Sequence, residues 1–214
     1  PEVQRAVEFY VDLVRTYGQP GAATSGFTEC ATQLAQGRVA MWYDSTSAVS
    51  TLEDPSSSNV VGKIGYAPAP VMEKDPSGWL YTWSLGIPAS SENADDAWKF
   101  ISWMTDQNYM RLVGEELGWE RVPPGSRLST YEIPEYKEAS QAYGPITLES
   151  IEGADQANPT VDPVPYTGIQ FLAIPEFQDL GTRVSQQISA AIAGRQTVAE
   201  ALDQAQKYAE AVGA

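Results

Sequence analysis

Histidine is absent from the chain, and cysteine occurs once, as Cys30. Without imidazole there is no side chain whose ordinary pKa lies near neutrality, so histidine-based acid–base catalysis and histidine metal sites are excluded. A lone thiol excludes an internal disulfide and leaves the redox compartment open. Basic residues are scarce, 13 against 28 acidic ones, for a formal charge of −15. Such a surface repels phosphate backbones, so nucleic acid is not an expected partner. No apolar run approaches the roughly 20 residues of a membrane-spanning helix, and mean hydropathy is −0.29. Gly-rich phosphate loops, zinc spacings and calcium loops are missing as well, so no cofactor and no metal is expected. The chain opens at Pro1 with no charged or apolar leader and enters a helical pattern almost at once. It therefore reads as the later part of a longer chain.

What the chain does contain is aromatic. Trp79, Tyr81 and Trp83 alternate within Gly78–Pro88 and share one face of an expected strand. Three flat side chains on one face are either a wall of the core or a stacking platform. The run ends in Leu85-Gly-Ile-Pro88, where Gly86 admits close approach to the backbone and Pro88 limits further pairing. With no catalytic pattern beside it, the platform points to binding rather than reaction.

Along the chain, Val3, Val7, Tyr10, Val11 and Val14 predict a helix stopped by Gly18, and Thr28–Ala35 a second ending at Gly37. Residues 38–44 and 63–70 read as strands. Ser45, Thr46 and Ser47 are caps for a helical turn ending by Asp54-Pro55. An amphipathic helix follows Ser90–Asn93, with Ala97, Trp98, Ile101 and Met104 on its apolar side, and another covers Asn108–Leu117. The proline-rich stretch Pro123–Pro165 reads as a surface segment on a scaffold, with one helix near Pro134–Ala142. Two helices close the chain, one running to Gly194 and one from Thr197. Alternating strands and helices predict an α/β or α+β layered fold.

Gly37-Arg-Val-Ala-Met-Trp-Tyr-Asp44, Gly62-Lys-Ile-Gly-Tyr-Ala-Pro-Ala-Pro70, Trp83-Ser-Leu-Gly-Ile-Pro88 and Ala94-Asp-Asp-Ala-Trp-Lys-Phe-Ile101 stand in one order with the tail Gly194–Gln206. Together they resemble the extracellular solute-binding proteins of ABC importers, in the sugar and polyol group related to maltose-binding protein. The resemblance spans nearly the whole chain but only the later half of a typical member. It implies an α/β second lobe of a two-lobe, type II-like periplasmic binding protein. On this reading 1–86 form the second-lobe α/β core. Residues 87–120 form a hinge-crossing strand and helices that pack on the missing first lobe, and 121–214 return to the second lobe. The resemblance also implies a periplasmic or extracellular, cell-surface-associated protein that captures a sugar or sugar alcohol. Its expected partners are the ligand, the membrane subunits of an ABC permease and the N-terminal lobe of the same protein.

Sugars and polyols alternate C–H patches with hydroxyls, so a site for them needs a flat apolar surface with a hydrogen-bonding rim. Trp83 stands where the family often places a stacking tryptophan, and Trp79 and Tyr81 extend that face. Asp44 ends a strand two residues beyond Trp42; its carboxylate accepts hydrogen bonds from vicinal hydroxyls or caps the turn at Ser45–Ser47. Trp42 is pocket floor or core. Arg127, in the stiff turn Val122–Leu128, offers five donors suited to paired hydroxyls, and is otherwise a solvated surface arginine. Gln178 and Tyr166 are further rim residues. Two other classes remain open from the residues. A carbohydrate-active hydrolase fragment needs a carboxylate pair, but Asp95-Asp96 and Glu115-Glu116 are neighbours in helices and point apart. A non-catalytic protein-interaction module needs only the acidic surface. The reading taken is a binding protein, not an enzyme.

Overall fold

In the computed structural model, residues 2–75, 78, 80–125, 127–169 and 171–212 are described. They divide into two units, Pro1–Cys30 with Gln170–Ala214, and Ala31–Ile169.

The first unit is helical. α1 (Glu2–Tyr17) turns Val7 and Val11 onto α8 (Phe177–Ile192) and α9 (Val198–Val212), where they meet Ile188, Ala191 and Ala201. Alanine at the contact lets the helices approach closely, and Ala201 is fully buried. α8 ends where the sequence stop predicts. Gly194 adopts φ 71°, and the Arg195 N–H reaches the Ala190 carbonyl at 2.9 Å, a closure that a side chain resists. α9 opens on a reciprocal cap. Thr197 Oγ1 accepts from the Glu200 N–H at 3.2 Å, while Glu200 Oε2 accepts from the Thr197 N–H at 2.8 Å. The bond from the Thr197 N–H, and a second from the Thr197 hydroxyl donating to Oε2 at 2.8 Å, hold the Glu200 carboxyl below its usual range. On the outer side Arg183 lies 5.5 Å from the Tyr208 ring centroid.

The second unit holds two cores. One joins Ala35 of α2 (Phe27–Ala35) to Ala48 and to Leu52 of α3 (Val49–Leu52), with Trp42 and Ile64 packed against them. Ser45 starts this turn as predicted, its Oγ accepting from the Ser47 N–H at 3.3 Å. The other core gathers Val113 of α5 (Gln107–Leu117), Val122, Tyr131, Ile133 and Tyr136. Asp106 caps α5 by accepting from the Tyr109 N–H at 2.8 Å. Trp119, in a 3₁₀ turn, lies flat on α5 because Gly114 has no Cβ; one there stands 2.4 Å from the indole.

Several expectations change here. The first part of the stretch after Pro123 is not a surface segment, whereas residues 148–165 are exposed or half-buried as expected. Tyr131 and Ile133, then Tyr136 of α6 (Pro134–Ala139), Tyr143, and Thr147 of α7 (Gly144–Gly153) are all buried. Its apolar groups are tyrosines spread over short elements, so no single helical period reveals them. α7 was unforeseen, although Pro145 in its first turn is a start signal. Conversely, α4 (Ala94–Met104) forms as predicted yet buries none of its residues, leaving Trp98, Phe100 and Trp103 exposed. The runs expected as strands, 38–44, 63–70 and 78–88, carry no strand pairing among the described residues. A strand is completed by ladder bonds to a neighbour, and these three runs do not pair with one another. Period-two alternation survives in the first, with Trp42 turned to the core and Met41 and Tyr43 outward.

The tyrosine cluster predicts a pH response. Burial raises the Tyr143 hydroxyl from 10.0 to about 12, because the interior disfavours the phenolate. The folded state holds this proton more tightly than the unfolded chain does. Its contribution is therefore complete below pH 10 and is lost as pH rises through about 12. Urea midpoints measured across that window are expected to fall with pH, and less steeply in Tyr143→Phe. Parallel declines in the two proteins contradict the assignment.

Candidate functional site

The aromatic run follows the turn near residue 75, and Gln156 Nε2 secures it by donating to the Leu80 carbonyl at 2.8 Å. Beyond that anchor Tyr81 and Trp83 meet edge to face, ring centroids 5.3 Å apart at 88°. Trp83 is 86% exposed. An indole so placed contributes little to a core and presents its faces to whatever approaches. Trp79, the third member of the expected platform, lies outside the described residues.

Asp44 is exposed. Its Oδ1 accepts from the Ser45 N–H at 2.7 Å, and Ser45, not Asp44, supplies the cap of the next turn. The carboxylate thus keeps accepting capacity for other donors. Arg127 is exposed as well, and one of its guanidinium nitrogens donates to the Thr105 carbonyl just past α4. Tyr166 is exposed, while Trp42 is half-buried against Ala48 and Leu52. Among the described residues no hydrogen bond connects Asp44, Arg127 and Tyr166 to one another. Gln178 belongs to the other unit, exposed in the first turn of α8.

A second feature was not foreseen. A groove of about 400 Å³ opens between α3 and α5. At one end Asp54, 7% exposed, takes two bonds on Oδ1 from Ser56, the N–H at 2.8 Å and the hydroxyl at 2.7 Å. Its Oδ2 pairs with Arg121. The Ser56 bonds, then the Arg121 charge, hold this carboxyl below its usual range against the opposing effect of burial. Asp54 and Arg121 lie 67 positions apart, beyond the reach of any local spacing rule, so the sequence carries no signal for the pair.

Comparison with known proteins places these features in a wider frame. The family model described as "Bacterial extracellular solute-binding protein" matches residues 1–110. A mannitol-binding protein of Pseudomonas aeruginosa is 43% identical over 208 residues, covering 96% of this chain and 47% of the relative. An erythritol/L-threitol-binding protein of Mycolicibacterium smegmatis is 30% identical over 118 residues, 52% of this chain and 24% of the relative. Among solved structures, an ABC transporter solute-binding protein from Agrobacterium vitis S4 with bound D-mannitol matches with a TM-score of 0.90 and 45% identity. That match covers 98% of this chain and 50% of the other. The chain thus spans about half the length of the mannitol-binding relatives it matches. These relatives are named as binding proteins, not as enzymes. The expected α/β fold class, one part of a two-lobe binding protein, is borne out by the structural match. A chain carrying half of such a fold also carries strand runs without all of their neighbours.

Proposed function

The chain belongs to the bacterial extracellular solute-binding protein family, and from that premise we propose that it forms the later half of the substrate-binding component of an ABC importer. The ligand is a sugar alcohol or sugar, held in a cleft between two lobes and delivered to the membrane subunits of a permease. The observation that carries this reading is the 43% identity, over almost the whole chain, to a protein named for mannitol binding. The exposed Trp83–Tyr81 pair supports it, since an open indole suits the C–H face of a polyol.

In this reading Trp83 stacks, Tyr81 braces it edge to face, Trp79 adds to the aromatic wall, and Asp44 and Arg127 engage hydroxyls. Gln178 and Tyr166 complete the rim, with Trp42 supporting the floor. Residues 1–86 and 121–214 belong to one lobe, and 87–120 cross the hinge to pack on the other. The exposed aromatics of α4 support that crossing: Phe100 and Trp103 lie on one side and Trp98 on another, all open to solvent and all gaining from a covering surface. Closure of the lobes around the ligand makes the surface that the permease reads. The protein works outside the cytoplasmic membrane, in the periplasm or at the cell surface, and performs no catalysis.

The test is ligand-dependent stability in the protein at the full length of its relatives. A ligand that selects the folded state raises the melting temperature by mass action. D-mannitol is expected to raise it and to change tryptophan fluorescence, with maltose weaker. Stabilisation by none of these, or hydrolysis of an offered oligosaccharide, overturns the reading.

A further inference from the structure

We propose that Gln107 and Ser129 are positioning residues for Arg127. Their hydrogen bond clasps the corner between α4 and α5 to the turn that carries the guanidinium, and so sets where that group meets a ligand. The inference rests on the reading of Arg127 as a donor to ligand hydroxyls and names what holds it in place.

Two side-chain bonds tie the same two short segments, each across 22 positions. A guanidinium nitrogen of Arg127 donates to the Thr105 carbonyl, and Gln107 Nε2 donates to Ser129 Oγ at 3.0 Å. Thr105 and Gln107 stand two positions apart, as do Arg127 and Ser129, so the bonds link the segments in matching order.

Both ends of the clasp are stiff. At the corner, the Thr105 N–H and hydroxyl both donate to the Ile101 carbonyl, at 3.1 and 2.9 Å. Asp106 then starts α5 through the Tyr109 N–H. At the other end the Arg127 carbonyl accepts from the Thr130 N–H at 3.0 Å, opening a 3₁₀ turn in which Thr130 and Tyr131 are buried. The acceptor that Arg127 uses and the backbone that carries Arg127 are thus each held by other bonds.

The side chain between them is exposed. A free arginine samples many rotamers, and a ligand that recruits it bears the entropy of stopping it. One N–H on the Thr105 carbonyl orients the planar fork and leaves its other donors for paired hydroxyls. Water contests a single exposed bond of this kind. The Gln107–Ser129 bond, two residues on, keeps the segments at the spacing the arginine bond requires. Neither residue belongs to the aromatic platform or its rim, and 22 positions of separation hide the pair from any local spacing rule.

The experiment is a double-mutant cycle in the protein at the full length of its relatives, read by isothermal titration with D-mannitol. A melt of each unliganded variant accompanies it. Arg127→Ala is expected to weaken binding about tenfold. Ser129→Ala and Gln107→Ala are each expected to weaken it about threefold to tenfold, the scale of one long side chain set free. Ser129→Thr keeps the hydroxyl and is expected to bind as the parent does. The decisive arm places Ser129→Ala on Arg127→Ala, where no further loss is expected because nothing remains to be positioned. An equal loss in both backgrounds overturns the proposal, for it shows the bond to serve the fold alone. Unchanged affinity in Ser129→Ala and Gln107→Ala overturns it too. If Arg127→Ala binds as the parent does, Arg127 leaves the site and the proposal falls while the capture reading stands. Absence of mannitol binding by the parent overturns both.

Discussion

Trp83→Ala, placed in the protein at the full length of its relatives, is expected to weaken D-mannitol binding by about thirtyfold, the size of a central aromatic contact worth about 2 kcal/mol. The expectation rests on where the indole stands. A tryptophan 86% exposed contributes little to the folded core, so its removal should leave the melting temperature of the unliganded protein nearly unchanged. Its ring contact is with Tyr81, edge to face, which fixes its tilt and limits the entropy lost on stacking. Isothermal titration reads the affinity, and a melt without ligand reads the fold. Unchanged affinity removes Trp83 from the site. Loss of affinity together with a large drop in stability shows instead that the indole is a structural residue in the full-length protein.

How far the sequence reaches depends on the range of the signal. α1, α2, α5, α8 and α9 were legible because their apolar spacing and their punctuation, at Gly37, Gly194 and Thr197, lie within one or two helical turns. The alternation of Tyr81 and Trp83 was legible along the run, but not that their rings would meet edge to face at 88°. Whether such a face is covered is also a tertiary fact. Two parts escaped. The core around Tyr131, Tyr136 and Tyr143 is assembled from short helices and 3₁₀ turns; α6 was legible from Pro134, but no period marks its Tyr136, or the tyrosines of the neighbouring turns, as buried. The groove is defined by Asp54 and Arg121, partners brought together by folding from distant positions. The strand runs illustrate a third limit. Local pattern can mark a segment as extended, but pairing is a property of its neighbours.

The tyrosine cluster supplies the largest expected effect on stability, and it has a sign that separates two contributions of one side chain. Tyr136 is fully buried, its ring edge to face with Tyr131 at 5.6 Å between centroids, while its hydroxyl has no hydrogen-bond partner among the described residues. Burial also pushes its proton affinity upward, so the hydroxyl stays neutral throughout the physiological range. Tyr136→Ala removes the ring from between Val113, Val122 and Ile133 and is expected to cost about 3–5 kcal/mol, as large aromatic deletions do. Tyr136→Phe keeps the ring and removes only the unpaired hydroxyl. An orphaned buried donor costs about 1–3 kcal/mol, so this variant is expected to be as stable as the parent or more so. Denaturant midpoints with unchanged slope report both values. A destabilised Tyr136→Phe contradicts the assignment, for it shows the hydroxyl to be paired in solution. The consequence reaches the groove, since the same cluster holds α5 and, through Trp119, the turn that carries Arg121. Tyr136→Ala should therefore speed backbone amide exchange at 113–121, whereas Tyr136→Phe should preserve its protection.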